Sequence, residues 1–87
     1  ERGMTRLYIS IGREDNVRPG DIVGAIANEA DIPGRSIGAI EIYDRFSLVD
    51  VPSNHAERVI RALGNSRIRN QKVSVQIAKP TRQIKKG

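Results

Sequence analysis

Thr5-Arg6-Leu7-Tyr8-Ile9-Ser10-Ile11 alternates apolar and polar side chains with a period of two. Successive strand residues point to opposite faces, so Leu7, Ile9 and Ile11 share one face and Arg6, Tyr8 and Ser10 share the other. A strand of this kind belongs to a sheet that is covered on one side only. What the rest of the chain offers as a cover, and what it leaves on the other side, decides the architecture.

Gly12 to Val17 is polar and reads as a loop. Arg18-Pro19-Gly20-Asp21 predicts a helix start, with Pro at the first helical position and an acid in the positive first turn. Ile22, Val23, Ile26, Ala27 and Ala30 then form one apolar stripe at helical spacing, which Pro33-Gly34 ends. Ile37 to Tyr43 and Phe46 to Val51 alternate again. Asp44-Arg45 between them predicts a tight turn, although two-residue hairpins usually take Gly or Asn. Asn54 with Glu57 has capping-box spacing, and Ala56, Val59, Ile60 and Leu63 form a second stripe, with Glu57 and Arg61 paired on its wet side. Gly64-Asn65 closes that helix. From Ile68 to Ala78 a short turn at Asn70-Gln71 leads into a last strand carrying Val73, Val75 and Ile77.

Two helices with one apolar stripe each can cover one face of four strands. The predicted class is α+β: a ferredoxin-like split βαβ (βαββαβ), with a four-stranded antiparallel sheet and both helices on one side. The core would hold Leu7, Ile9, Ile11, Ile40, Ile42, Val49, Val51, Val73, Val75 and Ile77. Twelve Ile and seven Val carry the apolar weight, which suits strands.

The whole chain has 87 residues and a mass of 9.6 kDa, enough for one small domain. A chain this short buries only about 60–65% of its unfolded surface, which leaves little room for a deep catalytic cleft beside a core. There is no Cys, which excludes disulfides, thiolate zinc sites and thiol nucleophiles. No apolar run approaches the roughly 18–20 residues of a membrane span. A net charge of +5 and a pI of about 10.2 suit a polyanionic partner. Glu1-Arg2-Gly3-Met4 is an odd beginning, so residues 1–4 read as a linker remnant of something longer, 5–78 as the domain and 79–87 as a basic, disordered tail.

The uncovered face should present Arg6, Tyr8 and Ser10, then Glu41 and Tyr43, then Phe46, Leu48 and Asp50, and finally Ser74 and Gln76. Tyr8, Tyr43 and Phe46 are the only aromatics, and all fall on the wet side. Burial of such a ring is worth about 1.5–3 kcal/mol, so its placement in water calls for another use. Rings on a sheet can stack on nucleic-acid bases, at about 1–3 kcal/mol per base. Arg13 and Arg18 flank the loop into the first helix. Arg45 sits in the first hairpin and Arg67, Arg69 and Lys72 surround the last one. Any of these can neutralise a phosphate. Lys79, Arg82, Lys85 and Lys86 would add salt-sensitive, sequence-blind attraction.

Leu7-Tyr8-Ile9-Ser10-Ile11-Gly12 resembles the short ribonucleoprotein motif of an RRM first strand, with Tyr8 at the stacking position. The longer motif would fall on Asp44 to Val51, where Phe46 and Val49 match and Leu48 replaces an aromatic. A broader resemblance covers Met4 to Pro80. It is carried by Leu7 to Arg13, Arg18-Pro19-Gly20-Asp21-Ile22-Val23-Gly24-Ala25-Ile26, Ile37 to Ile42, Phe46 to Pro52 and Ile68-Arg69-Asn70-Gln71-Lys72-Val73. These segments are similar to the short RNA-binding domain of bacterial DEAD-box RNA helicases of the DbpA and cold-shock (CsdA/DeaD) type. The resemblance implies a degenerate, monomeric RRM that anchors the helicase core of the same chain to a structured RNA, a ribosomal hairpin, in the bacterial cytoplasm. It implies cold-shock and ribosome-biogenesis roles for the parent, and ATP and Mg bound upstream, with no cofactor in this stretch.

Rival readings are a protein-docking or dimerisation module that uses the aromatic face, and an acylphosphatase-like hydrolase on the same strand order. Arg13 suits the hydrolase's anion cradle, but no Asn lies between Ile37 and Val51 to place a water. His55 is the sole histidine, which argues against a metal site, and Ser53, His55 and Asp50 are linked by nothing beyond proximity in sequence. Gly20 to Gly24 lacks the Lys-Ser/Thr pair of a phosphate loop.

Overall fold

The computed structural model describes residues 3–78. Lys79 and the expectation of a disordered tail lie outside the described residues. The elements are β1 (Met4–Ile9), α1 (Pro19–Ala30), β2 (Ile40–Ile42), β3 (Ser47–Pro52), α2 (Ala56–Gly64), β4 (Arg67–Ile68), β5 (Gln71–Lys72) and β6 (Val75–Ile77). One sheet runs β2-β3-β1-β6 with every pairing antiparallel, and β4 and β5 form a separate hairpin.

Both helices lie on the same side. Leu7 and Ile9 of β1, Val49 and Val51 of β3, Ile22, Ile26 and Ala30 of α1, and Ala56, Val59 and Leu63 of α2 share one buried cluster. Each fully buried Leu, Ile or Val contributes about 1.5–3 kcal/mol, so this one-sided core holds the fold together. The ferredoxin-like split βαβ is therefore the observed architecture, with the hairpin as an insert before the last strand.

α1 begins where the Pro and the acid place it. The Asp21 carboxylate accepts the Arg18 backbone N–H at 2.9 Å. The helix ends at Ala30, the last residue of its apolar stripe, where Asp31 takes a left-handed φ of 59° ahead of Pro33-Gly34. The capping box of α2 does not form: a 3-10 turn at Ser53–His55 leads in, and no side chain caps the helix.

The last third of the chain corrects the sequence reading. The turn falls on Arg69-Asn70, not on Asn70-Gln71, with both residues at positive φ (51° and 65°). Arg67 pairs with Lys72 and Ile68 with Gln71 across it. Val73 is buried but belongs to the link into β6 rather than to a strand. Ile77, placed in the core by alternation, is 49% exposed. Its register opposite Leu7 sets it on the helix side, yet β6 is an edge strand and the flank of α2 leaves it open beside Ile60. Ile40, Ile42 and Val75 are half-buried against the core. Ser47 is the one buried polar residue among those described, its hydroxyl donating to the Ile11 carbonyl at 2.7 Å. That bond holds the segment just after β1 to the start of β3.

Candidate nucleic-acid interface

The three rings meet on the uncovered face. Tyr8 and Phe46 have centroids 5.4 Å apart at 21°, and Tyr43 and Phe46 4.8 Å apart at 20°. Nearly parallel planes at these distances are offset stacks. The strand order puts Phe46 in the middle. The rings expected to stack on bases are stacked first on each other, and the ladder's ends are the two tyrosines. Tyr43 is the most accessible ring, at 41% exposure, while Tyr8 and Phe46 are half-buried.

The charges of this face are largely answered within it. The Arg6 guanidinium meets Asp50 at 2.9 Å and 3.4 Å, and this bond and the carboxylate's charge raise the guanidinium's pKa. Tyr43 donates its hydroxyl to Glu41 at 2.8 Å, which together with the negative charge raises the phenol's pKa. Leu48 lies opposite both Tyr8 and Glu41, and Gln76 opposite Tyr8. With Arg6 paired and a carboxylate over, the surface suits uncharged bases better than phosphates.

The ladder is held by a loop that docks under its hairpin. Arg13 N–H donates to the Tyr43 carbonyl at 2.7 Å and Glu14 N–H to the Asp44 carbonyl at 2.9 Å. Gly12 makes this approach possible: a Cβ there would come within 2.6 Å of the Asp44 oxygen and the Phe46 nitrogen. The Arg13 side chain adds bonds to Asp44 at 2.6 Å and to the Ile42 carbonyl at 3.0 Å. It is a brace as well as a cation.

Two recesses share Arg13 as a wall. One lies at the foot of the ladder, lined by Arg13, Glu14, Tyr43, Asp44, Arg45 and Phe46. The other is a groove of about 590 Å³ between the loop and the tip of the β4–β5 hairpin, lined by Arg13, Asn16, Val17, Arg18, Asp21 and Arg69.

The structure thus brings Arg6, Tyr8, Tyr43, Phe46, Leu48 and Gln76 onto one face, with Arg13 and Arg45 at its end and Arg18 and Arg69 around the corner. Arg45 meets Glu14 at 3.5 Å in full solvent, a contact of little energetic weight. Ser10 and Ser74 bond to each other across the ends of β1 and β6, at 2.7 Å and 3.0 Å. Arg67 and Lys72 sit opposite one another, exposed, on the hairpin and do not line the groove. Sequence reasoning passed over Gly12, Ser47, Asn16 and the bond from Gln71 to Asp15 at 3.2 Å that straps hairpin to loop. A glycine directly after a strand and an Asn in a polar turn were the available signals. Among the described residues no cluster of three metal-ligating side chains occurs, and His55 instead meets Arg58 at 3.1 Å.

The family model described as the DbpA RNA binding domain matches residues 6–77. The chain is 38% identical over 76 residues to the ATP-dependent RNA helicase DeaD of Escherichia coli, covering 86% of this chain and 12% of that protein. It is 37% identical over 72 residues to the DeaD helicase of Haemophilus influenzae, covering 83% of this chain and 12% of the relative. The chain therefore spans about an eighth of the length of these relatives. Among solved structures, the Nab3 RRM, reported for its recognition of cis elements in non-polyadenylated RNAs, superposes with a TM-score of 0.71 at 16% identity. It covers 87% of this chain and 96% of its own, a likeness of fold.

Proposed function

The chain belongs to the DbpA RNA-binding domain family, and from that premise we propose that it is the RNA-anchoring module of an ATP-dependent DEAD-box RNA helicase. It holds a structured RNA, a ribosomal hairpin, so that the helicase core of the same protein works nearby. Unpaired bases rest on the ends of the aromatic ladder and phosphates meet the arginines beside it. ATP and magnesium would serve the parent's core, in the bacterial cytoplasm. The observation that carries the reading is the Tyr8–Phe46–Tyr43 ladder on the uncovered sheet face, opening at its foot onto Arg13 and Arg45.

Fluorescence anisotropy of a labelled RNA hairpin tests it. The chain should bind with an affinity that falls steeply with salt. Tyr8→Ala should cost about 1–3 kcal/mol, roughly 5- to 150-fold in Kd, if the ladder takes a base. Undiminished binding by that variant removes the ladder mechanism. Self-association in light scattering without RNA affinity selects the docking alternative.

A further inference from the structure

The groove around Arg18 and Arg69 lies off the sheet face, and RRM-style base stacking does not use it. Three of its six lining residues are arginines and one is an acid. This is not an overflow of general positive charge. Residues 3–78 hold ten Lys and Arg against nine Asp and Glu, and most of the chain's surplus sits in the tail sequence. The single acid, Asp21, turns one carboxylate oxygen to the Arg18 backbone N–H, which leaves the arginines of the groove in the majority. Arg18 and Arg69 make no ion pair and no side-chain hydrogen bond among the described residues. Arg69 also occupies a left-handed position, φ 51°, where a side chain with a Cβ is disfavoured and glycine would serve the turn better. The Gln71–Asp15 bond holds that turn against the loop. Arg13 then joins the groove to the foot of the ladder.

We propose that this groove is a phosphodiester site: the RNA whose base rests on the ladder turns past Arg13 and lays its backbone between Arg18 and Arg69. Planar guanidinium forks suit the paired oxygens of a phosphodiester. The division of labour follows from the charges. The sheet face, with Arg6 neutralised and Glu41 present, takes bases, and the groove takes the strand's charge. The inference rests on the RNA-binding reading and adds the place where the backbone is gripped.

The test is anisotropy of the 87-residue chain with a fluorescein-labelled RNA hairpin, between about 50 and 200 mM salt. Arg18→Gln and Arg69→Gly are compared with the wild type, singly and together. Glycine suits the left-handed turn, so Arg69→Gly should melt no lower than the wild type. Each single variant should weaken binding about three- to tenfold at low salt and reduce the salt slope by about one, with the double variant losing about two. A double variant that keeps the wild-type slope overturns the proposal, whether or not its affinity falls. So does a result in which inorganic phosphate shifts the Arg18 to Asp21 amides while the RNA slope stays unchanged, which marks a general anion site. No RNA binding by the wild type would instead overturn the functional reading itself.

Discussion

Two hairpins of this chain reverse direction in two residues, and they do so by opposite means. At Arg69-Asn70 both central residues adopt positive φ, the geometry whose twist matches the flanking strands. The turn's own backbone does the work, and an Asn at its second position helps. At Asp44-Arg45 neither residue takes positive φ. This turn is not self-sufficient. Its carbonyls at Tyr43 and Asp44 accept bonds from the backbone of Arg13 and Glu14, and Arg13 clamps Asp44 from outside. One hairpin is stabilised locally, the other by a loop about thirty residues away in sequence. The remotely held hairpin carries the aromatic ladder, so the geometry of the rings depends on that loop.

The strongest way to break this contrast is Gly12→Ala. A Cβ at residue 12 meets three backbone atoms of the hairpin, none of which can move without moving the turn. Overpacking costs about 1–3 kcal/mol, and a backbone clash belongs at the upper end. For a domain of this size about 3 kcal/mol is a loss of more than roughly 10 °C in Tm. Thermal denaturation followed by circular dichroism reads it. A variant that melts within about 2 °C of the wild type would mean that the loop only rests on the hairpin.

The same contrast explains what the sequence disclosed. Alternation in Thr5 to Ile11 and in Phe46 to Val51 assigned the two central strands to the correct faces, because one-sided burial leaves a period of two in the sequence. Tyr8, Phe46 and Tyr43 were placed on the wet side for the same reason. Their stacking on one another was not legible, since alternation states which face a ring occupies and not which way it leans. Ile68 to Ala78 misled because Val73, Val75 and Ile77 keep period two across a link and an edge strand, although the three residues have different surroundings. The position of that turn was hidden by Arg69, a residue type that carries no signal for positive φ. The bonds from Arg13 and Glu14 to the hairpin are tertiary, and no local pattern records them.

A smaller effect sharpens the comparison. Asn-Gly is the preferred pair for a turn with two positive φ values. Writing it into the second hairpin, as Arg69→Asn with Asn70→Gly, should raise stability by up to about 1 kcal/mol, because the left-handed backbone that costs an Arg about 1–2 kcal/mol is tolerated by Asn and Gly. The same pair in the first hairpin, Asp44→Asn with Arg45→Gly, should give no gain, because the primed geometry would draw the Tyr43 and Asp44 carbonyls away from their donors and remove the Arg13 clamp. Urea denaturation of the two double variants compares them directly. Equal gains at both turns would show that the hairpins are alike and that the loop contributes nothing to the first.

The smallest effect concerns the ring at the open end of the ladder. Tyr43 donates its hydroxyl to Glu41, and ionising the phenol would set a second negative charge beside that carboxylate. Both effects raise its pKa above the ordinary 10.0, the hydrogen bond most. The sign for stability follows from linkage: the bond is fully present below the unfolded phenol's pKa and is lost as pH rises through the higher folded value. In a Tyr8→Phe background the phenolate absorbance reports Tyr43 alone. Its titration should come later than that of a free tyrosine, and Glu41→Gln should draw it back toward 10.0. Superimposable curves with and without Glu41 would mean that the phenol rotates freely in solution. The outer ring of the ladder would then be steered by Phe46 alone, and the carboxylate on this face would be left unshielded against an approaching strand.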